Sequence, residues 1–289
     1  MSEPSQSNQP APIDQATYWN ENGGQKWVAN IDHIDTMIGV FNAHVLCAAG
    51  ASTGERVLDV GCGGGTTSRA LAEAVTSQGE VLGVDVSEVI LQAAIERRGD
   101  AKNLRFELGD AANFKFEPNY FDLMTSRFGI MFFEEPARAF ENLRMALKPN
   151  GRVAFVCWRA LAQNPWMAAP AAAAFEVLPQ PEPQDPNAPG PFAFADQTKL
   201  KALLQTVGFT GVSVEPVDEL LVLGTISEAL QFLSRMGPAA AALQEASDDK
   251  RQAALEAVEQ VLNGYVTDGL VRIPGGVWLV RAAAGKDAR

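Results

Sequence analysis

The chain has 289 residues, 47% of them hydrophobic, and a formal net charge of −12 at pH 7. That content is ample for a sizeable core in one large domain with insertions, and the acidic balance argues against a general nucleic-acid surface, which needs Lys and Arg to neutralise phosphates. The cysteines Cys47, Cys62 and Cys157 are widely spaced and include no CxxC pair, so neither a disulfide framework nor a metal site is indicated. No apolar run approaches ~18 residues, and the first residues lack the basic and apolar regions of a signal peptide. A cytoplasmic protein without membrane insertion is expected.

Residues 1–12 are polar and proline-containing and read as a disordered tail. After Tyr18 and Trp19, the residues Trp27, Ile31, Ile34, Ile38, Phe41 and Val45 recur at intervals of four and three. This spacing predicts one amphipathic helix running to about Ala49. Its aromatic residues read as core anchors of the helix. The only two histidines, His33 and His44, lie on this helix about 16 Å apart along the axis. They cannot share a metal. Each is a candidate general base, and a partly solvated boundary position explains either equally simply.

Val57-Leu58-Asp59-Val60 reads as a buried parallel strand, Gly61-Cys62-Gly63-Gly64-Gly65 as a loop that lets a ligand lie against the main chain, and the residues from Thr66 as a helix. Amides at the start of that helix face the loop, as in nucleotide-type sites. Phosphate gripping by a Gly-Lys-Ser/Thr end fails, because no lysine occurs between Lys26 and Lys102. The dinucleotide fingerprint is weakened, because Thr66 or Ser68 stands where Gly or Ala is wanted. Asp59 would repel a pyrophosphate but welcome a ligand carrying an ammonium group.

The run Val-Leu-Asp-Val-Gly-Cys-Gly-Gly-Gly resembles the first motif of the class I S-adenosylmethionine-dependent methyltransferases, in particular the small-molecule group that includes ubiquinone and menaquinone C-methyltransferases. The likeness extends over about residues 55–159, is patchy at 196–215 and 277–284, and is generic elsewhere. It implies an α/β fold: a Rossmann-like doubly wound sheet of seven mostly parallel strands with an antiparallel last strand. It also implies S-adenosylmethionine as cofactor and S-adenosylhomocysteine as product.

Val81 to Asp85 is a second strand, and Asp85 stands where an acid accepts hydrogen bonds from ribose hydroxyls, before Ser87 caps the next helix. By resemblance Val86 contacts adenine. Leu104 to Leu108 is a third strand, followed by Asp110 and Ala111, which by resemblance bind the adenine edge; a surface turn is the alternative for Asp110. Phe121 to Ser126 is a fourth strand. By resemblance, Ser126 at its end and Arg127 after it border the methionine part of the cofactor and an N-terminal helical lid, residues 13–50, brings Tyr18, Trp19 and Trp27 over cofactor and substrate, while Phe128, Met131 and Phe132 are candidates for an apolar substrate wall.

Residues 152–158 form a fifth strand, 212–217 a sixth, and 277–280 a last strand, reversed and inserted beside the sixth. Two insertions, residues 160–195 and 225–264, are expected to form a substrate cap, with helices from Thr225 and over about 249–262. Tyr18, Trp19 and Trp166 are its candidate substrate contacts.

The expected activity is methyl transfer to an O, N or C nucleophile of a small, mainly apolar or aromatic acceptor, with no nucleic-acid partner and with a homodimer left open. A non-catalytic cofactor-binding subunit and a nicotinamide oxidoreductase are the alternatives.

Overall fold

A computed structural model describes residues 14–181 and 188–286; the tail predicted over residues 1–12 lies outside them. Three helices come first: α1 Gln15–Asn20, α2 Asn22–Ala29 and α3 Ile31–Ala49. The single helix expected from Trp27 is therefore interrupted, because Asn30 leaves helical geometry at φ −120° and ψ 13°. Its side-chain amide donates to the Lys26 carbonyl at 2.8 Å, an alternative to the backbone ladder that favours a helix end.

The alternating core runs β1 Arg56–Val60, α4 Thr66–Val75, β2 Glu80–Asp85, α5 Glu88–Arg97, β3 Leu104–Leu108, β4 Phe121–Arg127, α6 Pro136–Ala146 and β5 Leu147–Trp158. Then come α7 Pro165–Phe175, α8 Gln197–Thr206, β6 Thr210–Val222, α9 Ile226–Met236, α10 Ala240–Glu245, α11 Asp248–Asn263, β7 Val266–Thr267 and β8 Leu270–Ala283. The sheet order is β3-β2-β1-β4-β5-β8-β6, with β7 paired to β8 off this path. Strands β1 to β5 pair in parallel, and β8 lies antiparallel between β5 and β6, so β6 runs with the first five. The doubly wound sheet and the reversed last strand are as read from the sequence.

The last two strands are longer than their apolar runs suggested. Their ladder extends from Thr210 opposite Ala283 to Val222 opposite Arg272. Asp218, Glu219 and the Pro274-Gly275-Gly276 stretch interrupt the alternation without interrupting the pairing. Helix α10 and strand β7 had no such signal. The two insertions meet where α11 packs along α7. Among the described residues no helix is long and apolar enough to cross a membrane.

Strand order reverses between β1 and β4, so the crevice outside their carboxyl ends is the place where such sheets bind ligands. Helix α3 packs across β4, β5 and β6 through Ile34, Ile38, Phe41 and Val45, all buried. The Phe41 ring meets Phe128 and Trp158 edge-on, at 5.8 and 5.6 Å between centroids. Phe41→Ala should therefore cost about 3–5 kcal/mol in urea unfolding; a loss below about 1 kcal/mol would show that α3 is not part of the core.

Candidate active site

The loop after β1 is built almost without side chains. Gly61 has φ +61°, and a Cβ there would sit 2.5 Å from the Gly129 Cα, so the turns after β1 and β4 touch through backbone alone. Gly63 is also left-handed, at φ +55°, and a Cβ on it would face the Trp27 indole nitrogen at 4.0 Å. The loop is tied to β2: the amides of Gly61 and Cys62 donate to the Val84 carbonyl at 2.8 and 3.2 Å. Helix α4 then starts with no side-chain cap.

Two carboxylates lie against this loop. Asp85 is 9% exposed and accepts from the amides of Gly63 at 2.9 Å and Ser87 at 3.0 Å. Burial pushes its carboxyl up, and the Ser87 and Gly63 amides act in the opposite direction. Asp59 is buried and accepts from the hydroxyls of Ser68 at 2.5 Å and Thr125 at 3.3 Å. Burial pushes it up to about 6, against the Ser68 hydrogen bond and the charge of Arg127. Burial, with the charges of Asp85 and Asp59, also pushes the Cys62 thiol well up, as for a packed residue and not a reactive thiol.

The N-terminal helices are stitched to the end of β2. The Asn20 amide donates to the Val86 carbonyl at 2.9 Å, the Glu88 amide donates to Asn20 Oδ1 at 2.8 Å, and the Ser87 hydroxyl donates to the Trp19 carbonyl at 2.6 Å. The Trp19 ring stands edge-on to Trp27 at 5.9 Å and to Phe132 at 5.0 Å. Asp35 of α3, which sequence reasoning missed, gathers three elements. It accepts from Thr66 Oγ1 at 2.7 Å, Arg97 Nη2 at 3.1 Å and Arg127 Nη2 at 2.8 Å. Its sequence signal was faint, one acid on the polar side of an apolar stripe. Arg127 is 8% exposed, its Nε donates to Thr67 at 3.3 Å, and its buried Nη1 has no hydrogen-bond partner.

The methyltransferase-domain family matches residues 51–203, more than half of the chain. The chain belongs to that family. Demethylmenaquinone methyltransferases from Staphylococcus epidermidis and Staphylococcus aureus are 35% and 37% identical to it over 114 residues. That stretch is 39% of this chain and 47% of each relative, so the chain spans about half the length of the curated relatives it matches. A Haemonchus contortus phosphoethanolamine N-methyltransferase 2, solved with phosphomonomethylethanolamine and S-adenosylhomocysteine, has a TM-score of 0.60 at 20% identity, covering 96% of this chain and 62% of that one. YcgJ from Bacillus subtilis has a TM-score of 0.55 at 17% identity, covering 87% and 99%. At these identities the structural likeness is one of fold. The resemblance to class I methyltransferases read from the glycine loop is borne out.

In this methyltransferase domain the residues expected from sequence fall into two groups. Trp19, Trp27, Gly61, Gly63, Asp85, Val86 and Phe132 come together around the loop and the N-terminal helices. The Gly109 amide donates to the Asp85 carbonyl at 2.9 Å, which brings the Asp110 turn alongside. Asp110 itself spends its oxygens within that turn, on the Ala112 amide at 2.9 Å and the Asn113 side chain at 2.7 Å. Ala111 is buried, its carbonyl held by Asn142 at 2.8 Å.

Other residues are structural. Ser126 is buried and bridges the two turns, donating to the Val60 carbonyl at 2.7 Å and accepting from the Gly129 amide at 3.2 Å. Met131, a candidate for the apolar substrate wall, is buried with its sulfur accepting from the Trp158 amide at 3.4 Å. Phe128 and Trp166 are likewise core: Phe128 stacks on Trp158 at 4.3 Å, and Trp166 lies 5.2 Å from the same ring. Tyr18 is 43% exposed, edge-on to Trp19 at 5.2 Å. His44 pairs with Glu219 on β6 at 2.6 Å. Helix rise puts it about 13 Å along α3 from Asp35.

The raised Asp59 carboxyl yields a signed expectation. Its ionised form is the penalised one, so the penalty is present above about pH 6 and fades as pH falls toward the unfolded aspartate value near ~4. Asp59→Asn should stabilise the protein by about 3 kcal/mol near pH 8, on an order-of-magnitude basis, and by roughly half that near pH 5. Denaturant unfolding of both proteins across that range checks it; an advantage that grows with acid would contradict the assignment.

Proposed function

We propose that the chain transfers a methyl group from S-adenosylmethionine to an O, N or C nucleophile of a small molecule. The observation that carries this reading is the convergence at the switch point of Asp85 on the Gly63 amide and of Arg127 with a buried, unpartnered Nη1. An orphaned guanidinium N–H beside a glycine loop suits a carboxylate, and an acid at the end of β2 suits ribose hydroxyls, so the residues present fit an amino-acid-bearing nucleoside.

When bound, that cofactor supplies a methyl group already activated by its sulfonium. In this reading the backbone of Gly61 and Gly63 receives its amino-acid end, Asp59 braces the loop from beneath, Arg127 Nη1 pairs with the carboxylate and Asp85 holds the ribose. Val86 and Ala111 face the adenine, and Asp110 accepts from it by leaving its own turn. Trp19, Trp27 and Phe132 exclude water from the reacting pair, and alignment supplies most of the acceleration. Of the two histidines, His33 remains as proton acceptor. Its Nε2 is buried without a partner, and burial holds the imidazole pKa down, against the Glu228 charge, so the neutral form is favoured. The partners are a small methyl acceptor and no nucleic acid, in the cytoplasm, with homodimerisation compatible but unassigned.

Calorimetric titration with S-adenosylmethionine, S-adenosylhomocysteine and NAD tests the reading. The first two should bind and NAD should not, and Asp85→Ala should weaken the first two by at least about tenfold. Binding of NAD alone would replace the reading with an oxidoreductase, and binding without transfer to any acceptor would leave a non-catalytic cofactor-binding subunit.

A further inference from the structure

Arg127, the last residue of β4, is held along one edge of its guanidinium. Its Nε donates to Thr67 Oγ1 at 3.3 Å and its Nη2 to Asp35 Oδ1 at 2.8 Å, so α4 and α3 each take one end of that edge. Thr67 is itself fixed from α3, its hydroxyl donating to Asn42 Oδ1 at 2.8 Å. Two committed donors set the plane of a rigid fork. The remaining nitrogen, Nη1, is buried without a hydrogen-bond partner among the described residues, on a side chain only 8% exposed. A buried guanidinium N–H is costly unless a ligand meets it.

The group stands beside the glycine loop on three counts. Thr67 follows Gly65 closely at the head of α4, which begins without a side-chain cap. Gly129, two residues after Arg127, meets Gly61 backbone to backbone, and the charge of Arg127 reaches Asp59 beneath the loop. Asp35 orients this cation without cancelling it. Its Oδ1 serves Arg127, while Oδ2 accepts from Thr66 Oγ1 at 2.7 Å and Arg97 Nη2 at 3.1 Å. One carboxylate therefore stands between two guanidiniums, and the three together keep one positive charge. The other acid on Arg97, Asp32, is 92% exposed, so its pairing is screened by water. The surplus charge matters here, because Asp59 and Asp85 are both buried and would repel an anionic ligand.

We propose that Asp35 is a positioning residue for cofactor selection: by holding Nη2 it sets Nη1 of Arg127 toward the carboxylate of the cofactor's amino-acid end, and so selects nucleosides that carry this carboxylate over those that lack it. The inference rests on the proposed use of S-adenosylmethionine and adds the residue that makes Arg127 selective. A binding group held in place by a second, charged side chain loses precision when that support is removed, even though the group itself remains.

Calorimetry with S-adenosylhomocysteine and with its decarboxylated analogue, which keeps the adenosine, the thioether and the amine, reads the effect directly. The wild-type protein should prefer the carboxylate-bearing nucleoside by at least about tenfold, a preference that Arg127→Gln abolishes. Asp35→Asn should weaken S-adenosylhomocysteine about tenfold and leave the analogue within about twofold. Adding it to Arg127→Gln should cost nothing further. Asp32→Asn, which removes only the exposed partner of Arg97, should change neither affinity. Thr67→Val releases the other end of the fork and should lower the same preference by a smaller factor, which supplies the test where Asp35→Asn does not fold. An equal loss for both nucleosides in Asp35→Asn would make Asp35 a fastener of α3 and overturn the proposal, as would full additivity of Asp35→Asn with Arg127→Gln. A wild-type protein that binds both nucleosides equally keeps the proposed methyl transfer and loses this role for Asp35; one that binds neither loses both.

Discussion

Two turns that meet through bare backbone hold this site in place. Because neither Gly61 nor Gly129 has room for a Cβ, the ends of β1 and β4 approach more closely than any side chain would allow. Ser126 clamps the contact by hydrogen-bonding both turns, from the Gly129 amide to the Val60 carbonyl. The cost appears next door, where Phe128 adopts φ +68°, a conformation worth about 1–3 kcal/mol of strain for a side chain of this size. The hydrogen bond its amide donates to the Val156 carbonyl at 3.1 Å and its stack on Trp158 hold it there. Strain at a strand end beside a glycine loop is the kind of local conflict that function preserves and that the surrounding core compensates.

The charges around the loop follow from the same closeness. Asp59 and Asp85 are both buried near each other, and burial raises both carboxyls. Arg127 is the cation that offsets Asp59, and it is oriented by Asp35 from the lid. Helix α3 is consequently held in two different ways. Ile34, Ile38, Phe41 and Val45 fix it along its length by apolar burial, and its first turns are attached in addition through the ion pairs of Asp32 and Asp35 with Arg97 and Arg127. Ionic attachment is weakened by water and salt to a degree that burial is not.

Much of the site was legible where the chemistry is local. The glycine loop, Asp85 and the lid aromatics could be found because backbone permissiveness, a carboxylate at a strand end and large rings leave their mark in neighbouring residues. Met131, Phe128 and Trp166 could not be told from a substrate wall, since an apolar side chain reads alike whether it faces a ligand or the core. His33 and His44 share one helix and one boundary position, yet the ring of one stacks on Phe232 and the other stands in an ion pair with Glu219, from a strand 175 residues further on. Asp35 was invisible for the same reason, as each of its three partners comes from a different element.

The sequence by itself determined the alternation of strands and helices from β1 to β5, the glycine turn and the acids at the strand ends, because periodicity and glycine conformations are properties of a few consecutive residues. It also placed the last strand in reverse beside the sixth, through the likeness to a known family. Only the tertiary structure decided that Asn30 divides the lid helix, that Asp59 faces the underside of the loop with both oxygens engaged, and that Asp35 stands between Arg97 and Arg127. Each of these depends on groups far apart in the chain, and the free energy that selects them, burial of charge and packing of rings, exists only once those groups have been brought together.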